Sequence, residues 1–200
     1  MSYSEFTFTQ LTHLFNLTLK EGILVFPEKT TTIDPFFKKY LENNIPLALA
    51  IGTEKAKSEM LIAPILIEVR KMLDNRVSLF SGVDFNVDIE KGLNGFCDFL
   101  ISASPQQLYV DAPIMVLVEA KNDNLKNGLA QCIAEMVAAT LFNQKAGKQP
   151  NYVYGVVTTG NQWLFMRLKN NLVEIDLNER YINEPEKIVA LLISLLSPSS

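Results

Sequence analysis

The segment at residues 114–121 constrains the fold more than any other part of the sequence. It is an almost unbroken apolar run, Ile-Met-Val-Leu-Val, that ends abruptly in Glu-Ala-Lys. A strand covered on both faces by helices has this composition, whereas a strand with one solvated face alternates apolar and polar residues. We therefore predict a central strand whose carboxyl end opens into a site, the usual place for ligands in open α/β sheets.

Patterns on both sides of this strand predict an α/β fold with a mixed central sheet flanked by helices. Apolar residues at helical spacing alternate along the chain with short segments of period two. Asp34 can cap one of the helices, because Pro35 would occupy its first position. In chain order we predict a short helix at 10–21, a helix after Asp34, a long helix at 53–73 that Pro64 interrupts, strands at 83–89, 96–102 and 114–121, a helix at 125–144, strands at 152–158, 162–168 and 172–177, and a closing helix at 185–196.

Length and composition favour a single domain at 1–200. Hydrophobic residues make up 48% of the 200 positions, which is enough for one sizeable core, and no linker or repeat interrupts the chain. The two cysteines, Cys97 and Cys132, do not have the density of a disulfide scaffold. His13 is the single histidine, so a multi-histidine metal site and a Ser-His-Asp triad have little support.

Neither end of the sequence suggests a membrane protein. The first ten residues lack the basic and apolar regions of a secretory signal, so we expect a cytoplasmic protein. The most apolar run, at 188–196, is well short of the ~20 residues that a membrane-spanning helix needs. It predicts a helix that is either buried in the domain or pairs two copies of the chain, which leaves a homodimer open.

The charge balance does not resemble that of a protein that binds nucleic acid by itself. The formal net charge is −4, and the basic residues are spread along the chain. Neutralising phosphates usually requires a basic stripe, because it supplies most non-specific affinity. A role on nucleic acid therefore has to rest on a local site, with weak intrinsic affinity or a protein partner that adds affinity.

Charged residues at two strand positions predict a site for a divalent cation. Strand alternation places Glu119 and Lys121 on one face, while Ala120 points away and offers its backbone carbonyl. Asp98 lies in the middle of another strand, and antiparallel pairing of the two strands could bring it beside Glu119. Two adjacent carboxylates repel each other, and Mg²⁺ characteristically takes one or two carboxylates plus waters.

Asp98 followed by Glu119-Ala120-Lys121 resembles the D…(D/E)-x-K signature of the PD-(D/E)XK nuclease superfamily. The core of that superfamily, the restriction-endonuclease-like fold, is a helix, three antiparallel strands, a helix and a parallel strand, the αβββαβ order predicted above. The resemblance spans residues 53–159. It includes Glu59, which matches an acid on the first helix of many members, and Gln131, which matches a glutamine early in the helix after the third strand.

Two features depart from the family pattern. The proline of the signature is missing next to Asp98, where the sequence reads Phe-Cys-Asp. Some members carry a tyrosine four positions after the glutamine, and Glu135 occupies that position here.

The resemblance implies Mg²⁺- or Mn²⁺-dependent hydrolysis of phosphodiester bonds, with nucleic acid, most simply DNA, as substrate. Asp98, Glu119, the Ala120 carbonyl and Glu59 would hold the ion. Lys121 would orient the attacking water or stabilise the transition state, and Gln131 would complete the catalytic set.

An alternative is a catalytically inactive relative that serves as a binding or assembly module. The acidic balance and the absence of a nucleic-acid-reading element favour it. The site residues also have structural explanations: Glu59 can pair with Lys55 along a helix, Gln131 can lie on a helix surface, and Glu119 and Lys121 can form an ion pair.

Overall fold

The computed structural model describes residues 1–26 and 31–197. Its strands are β1 (Thr18–Gly22), β2 (Ser78–Asp84), β3 (Phe96–Ser102), β4 (Ile114–Ala120), β5 (Val153–Thr158), β6 (Gln162–Lys169), β7 (Leu172–Asp176) and β8 (Arg180–Tyr181). Its helices are α1 (Phe8–Leu14), α2 (Pro35–Ile51), α3 (Glu54–Lys57), α4 (Ala63–Met72), α5 (Lys126–Lys145) and α6 (Pro185–Leu196), with a 3-10 turn at Tyr3–Glu5 and a π-helical turn at Ser58–Ile62.

In the described residues, all of the strands belong to one mixed sheet with the order β1-β7-β6-β5-β4-β3-β2, and β8 pairs with β6. Strands β2, β3 and β4 pair antiparallel, and β5 is parallel to β4. The parallel pair needs a crossover, which α5 supplies, and this explains why β4 is apolar on both faces. The predicted α/β class with a mixed sheet between helices is confirmed.

The sheet separates two apolar cores. One core lies between the sheet and α5, where Leu100 and Leu117 are buried. The other lies beneath the π-helical turn, α4 and α6, where Val116 and Val118 are buried. Since side chains alternate along a strand, Glu119 shares the α5 face with Leu117. The charged end of β4 therefore opens under α5.

Small residues and one amide hold α5 close to the sheet. A Cβ atom on Gly155 of β5 would lie 2.4 Å from Met136 Sδ, so only glycine allows this approach. At the far end of α5, the buried Asn143 side chain accepts a hydrogen bond from Ile114 N (2.7 Å) and donates one to Ile114 O (2.8 Å). The last turn of α5 is thus fastened to the first residue of β4.

The long helix predicted at 53–73 has three parts, α3, the π-helical turn and α4. Pro64 has no backbone N–H, so the Met60 carbonyl loses its α-helical partner. The Tyr40 hydroxyl donates to that carbonyl instead, over 3.3 Å. The predicted cap on α2 is confirmed, since the Asp34 carboxylate accepts from Phe36 N at 2.9 Å.

Two sequence predictions were wrong in their extent. The predicted helix at 10–21 is α1 followed by β1, because Asn16 has a positive φ of 52° and the chain from Thr18 pairs with Leu172 of β7. The strand predicted at 83–89 ends at Asp84, and an irregular segment follows it. Neither difference moves the charged end of β4.

The apolar segment at 188–196 is a buried helix. It forms most of α6, which packs against α4, β4 and β8, and Ile188, Val189 and Leu192 are inaccessible to solvent. This helix therefore offers no support for a homodimer. None of the described helices combines the length and the apolar character that crossing a membrane requires.

Candidate functional site

Asp98 and Glu119 lie close together because β3 and β4 pair antiparallel. Phe99 is opposite Val118, and continuing this register by one residue places Asp98 beside Glu119. Asp98 Oδ2 accepts a hydrogen bond of 2.8 Å from the N–H of Ala120. The N–H and C=O of a residue in an antiparallel pair point the same way, so the Ala120 carbonyl also faces β3. Two carboxylates and a carbonyl therefore meet at one end of the sheet.

Lys121 turns back onto Glu119 at the end of β4. Its ammonium lies 2.5 Å from Glu119 Oε1, and the two side chains are 22% and 2% exposed. The backbone N–H of Lys121 donates to Thr158 O at 2.8 Å, which keeps the chain extended past β4. A Cβ atom on Gly128 of α5 would lie 3.0 Å from Lys121 Cγ and 2.8 Å from a Val157 methyl. The aliphatic stem of Lys121 thus fits in the space that this glycine leaves.

Helix α5 adds two polar side chains to the cluster. Gln131 Oε1 accepts from Lys121 Nζ at 3.3 Å, and Gln131 Nε2 donates to Glu135 Oε1 at 3.1 Å. Gln131 and Glu135 are one turn apart, so they share a helix face. In the described part of the chain, Glu119 Oε2 and Glu135 Oε2 are both enclosed and have no hydrogen-bond partner. The cluster therefore contains two unsatisfied acceptors.

Burial dominates the electrostatics of this cluster. Burial, and after it the charge of Asp98, raises the pKa of Glu119 to about 7 against the opposing effect of Lys121. Burial also raises the pKa of Glu135 well above its ordinary value, and the charge of Glu119 adds to this. Burial alone would lower the pKa of Lys121, but the facing carboxylates outweigh it and raise that pKa. Such perturbed groups are frequent at functional sites and also occur in structural ion pairs.

The two carboxyl groups affect each other directly. The charge of Glu119 raises the pKa of Glu135, and neither Oε2 atom has a hydrogen-bond partner among the described residues. When both groups are ionised, neither can donate a hydrogen bond to the other.

The structure does not bring Glu59 into this cluster. Its carboxylate is 64% exposed and pairs with Lys55 over 3.9 Å, the helix pair that the sequence also allowed. Glu59 lies in the π-helical turn, which adds a residue to the helical turn and alters the direction of its side chains. Glu54, at the start of α3, is closer to the site, since its charge contributes to the raised pKa of Lys121.

Sequence analysis missed two residues that border the site. Glu135 was noted only as a departure from the family pattern, although its spacing from Gln131 predicts that they share a helix face. Lys57 is only 9% exposed, and its ammonium donates to the backbone carbonyl of Asn122 at 2.7 Å. No sequence signal linked Lys57 to the turn after Lys121.

No protein-family model matches the chain, and a search of curated proteins gives no match. Among the described residues, no group of three or more His, Cys, Asp or Glu side chains is arranged to hold a metal ion as the side chains stand. In this arrangement the Lys121 ammonium partly neutralises the charge of Glu119.

Proposed function

We propose that the chain is a metal-dependent nuclease that hydrolyses phosphodiester bonds in nucleic acid, most simply DNA, and that Asp98, Glu119 and the Ala120 carbonyl hold its Mg²⁺ or Mn²⁺ ion. One observation carries the proposal. Asp98 and Glu119 lie on adjacent strands, and Glu119 Oε2 is enclosed without a partner within the described residues. An enclosed carboxylate oxygen is costly unless a proton or a cation satisfies it.

The order of elements supports the resemblance to the PD-(D/E)XK superfamily. A helical segment ending in α4 precedes three antiparallel strands, and α5 then leads to β5, which is parallel to β4. Asp98 lies on the middle strand of the three, and the Glu-Ala-Lys segment ends the third. These placements agree with a restriction-endonuclease-like core.

The donor atoms fit a hard divalent cation, which prefers carboxylate and carbonyl oxygens. When bound, such an ion supplies positive charge to a phosphodiester and lowers the pKa of an attacking water. Lys121 is partly exposed at the mouth of the site, where its ammonium can orient that water or stabilise negative charge in the transition state. Its contact with Glu119 has to loosen when the ion binds.

A binding or assembly module without catalysis is the second candidate. Its support is the Lys121–Glu119 ion pair, because the ammonium can balance the charge of Glu119 in a purely structural role. The acidic net charge adds to it, because a nuclease of this composition needs a partner for nucleic-acid affinity. In such a module the cluster is purely structural.

Titration of the metal-free protein with Mn²⁺ at pH 8 separates the two candidates. For a nuclease, we expect Mn²⁺ to give a saturable heat of binding in calorimetry and to raise the Tm of the protein. In a separate assay, the nuclease should cleave plasmid DNA, single-stranded DNA or RNA only when Mg²⁺ or Mn²⁺ is present. Lys121→Met should retain the heat of ion binding and lose cleavage. The absence of both heat and a Tm shift at millimolar Mn²⁺ would favour the module.

Asp98→Asn distinguishes a functional carboxylate from a structural one. Asparagine keeps an oxygen for the Ala120 N–H but removes the charge that helps to raise the pKa of Glu119. We expect the metal-free variant to be more stable at pH 8, by on the order of 1 kcal/mol in urea unfolding, while metal-dependent cleavage is abolished. If the variant loses several kcal/mol and metal has no effect on the wild type, Asp98 is structural.

A further inference from the structure

The polar cluster under α5 forms a ring of contacts with one break. Lys121 joins Glu119 to Gln131, and Gln131 joins Lys121 to Glu135. The break lies between Glu135 and Glu119, whose Oε2 atoms lack partners in the part of the chain that the structure describes. Glu135 is inaccessible to solvent, and Glu119 is 1% exposed. Bulk water therefore does not satisfy these atoms.

Among the described residues no other group donates to either Oε2 atom, so only a proton on one of the two carboxyl groups, or a cation, can close the break. The Gln131 amide donates to Glu135 Oε1, and the Lys121 ammonium donates to Glu119 Oε1 and to Gln131. A carboxylate offers acceptors only, so two ionised groups at the break repel each other across a site shielded from water. A cation between them would turn this repulsion into coordination.

The charges of the cluster match a divalent ion. Asp98, Glu119 and Glu135 carry three negative charges when ionised, and Lys121 carries one positive charge. The remaining two negative charges equal the charge that Mg²⁺ or Mn²⁺ brings. Asp98 is close enough that its charge contributes to the raised pKa of Glu135 as well as that of Glu119.

We propose that Glu135 is a metal ligand, and that the ion held by Asp98 and Glu119 takes its third carboxylate from Glu135 on α5 after a shift of the side chains, which do not form a three-carboxylate metal site as they stand. This inference rests on the proposed function, because it needs the ion at Asp98 and Glu119. Glu135 would then supply the additional carboxylate that the family resemblance assigns to Glu59. The Glu59 side chain faces solvent instead. Gln131 then acts as a positioning residue that fixes the Glu135 carboxylate through Oε1.

The enclosure of the site leads to a preference between ions. Mg²⁺ gives up its waters reluctantly and usually keeps several of them. Glu119 and Glu135 are both buried, so an ion bound between them would have to give up waters on the α5 side. We therefore expect Mn²⁺ to bind more tightly than Mg²⁺.

Glu135→Gln tests the proposal with Mn²⁺ alone as the probe. The substitution preserves shape, and its amide can donate to Glu119 Oε2, so the variant is expected to fold. We expect calorimetry or Mn²⁺ electron paramagnetic resonance at pH 8 to show affinity reduced at least about tenfold. Glu68→Gln is the matched control, since Glu68 is a buried helical glutamate that pairs with Lys71 away from the site, and its Mn²⁺ affinity should equal that of the wild type.

The outcomes separate this inference from the proposed function. If Asp98→Asn loses Mn²⁺ binding and Glu135→Gln retains it within twofold, Glu135 is not a ligand and the nuclease proposal stands. If the wild type does not bind Mn²⁺, both proposals fall. A crystal of the wild-type protein soaked in Mn²⁺ decides the question even if Glu135→Gln does not fold. We expect an anomalous peak within direct ligand distance of Glu135 Oε2. A peak that touches only Asp98 and Glu119 overturns the inference.

Discussion

Raising the pH from 5 to 8 should destabilise the metal-free protein, because it forces a negative charge onto the buried Glu119. Its pKa rises from 4.5 to about 7, first through burial and then through the charge of Asp98. A carboxyl group that binds its proton more tightly in the folded state stabilises the fold below its unfolded pKa. This stabilisation is lost as the pH rises through the folded pKa.

The magnitude follows from the shift. One pKa unit corresponds to ~1.4 kcal/mol, so a change from 4.5 to about 7 is worth about 3 kcal/mol of unfolding free energy. For a chain of this length, the loss corresponds to a fall in Tm of roughly 6–12 °C. Glu135 acts in the same direction, since burial also raises its pKa well above the ordinary value.

Urea unfolding in the presence of EDTA, at intervals from pH 5 to pH 8, measures this dependence. Glu119→Gln cannot ionise and should show a smaller slope, with higher stability than the wild type at pH 8. Glu174→Gln is a suitable control, because Arg167 lowers the pKa of Glu174 and that group is already ionised at pH 5. If wild-type stability is constant or rises from pH 5 to pH 8, or if Glu119→Gln keeps the full slope, the electrostatic account of the cluster is refuted.

Two substitutions on α5 test how the helix supports the site. Gly128→Ala places a methyl group against the aliphatic stem of Lys121. Although alanine has a helix propensity ~1 kcal/mol better than that of glycine, we expect the free energy of unfolding in urea to fall by about 1–2 kcal/mol. Unchanged stability would mean that the neighbouring side chains can move apart. Asn143→Ala leaves the backbone N–H and C=O of Ile114 unsatisfied in the core. It should lower the free energy of unfolding by about 2–4 kcal/mol in the same assay and speed amide exchange at the start of β4. A loss below 1 kcal/mol would contradict the role of Asn143 in fastening α5 to β4.

The positions of Glu119 and Lys121 in the candidate site could be predicted from the sequence, because they depend on the residue pattern within a single strand. The apolar composition of β4 reflects burial on both faces, and period-two alternation places Glu119 and Lys121 together. The neighbouring position of Asp98 required one more assumption, antiparallel pairing of β3 with β4, which the structure bears out. The αβββαβ order was predicted because segments with helical spacing of apolar residues alternate along the chain with segments of period two.

Other features depend on contacts between distant segments, which a single sequence does not specify. The residues of β1 continue a helical apolar spacing, and they form a strand only because β7, more than 150 residues later, pairs with them. Glu135 would look the same on a solvated helix face as it does in the core. The outward direction of Glu59 depends on a π-helical turn, which helical periodicity does not reveal.

The hydrogen bond from Lys57 to the Asn122 carbonyl affects how the protein can be shortened for study. Residues 53–57 supply no strand, yet they anchor the turn through which the chain leaves β4 on its way to α5. A fragment trimmed to begin at α4 would retain Asp98, Glu119 and Lys121 and still release that turn. Weak Mn²⁺ binding by such a fragment would therefore not count against the proposed carboxylate ligands.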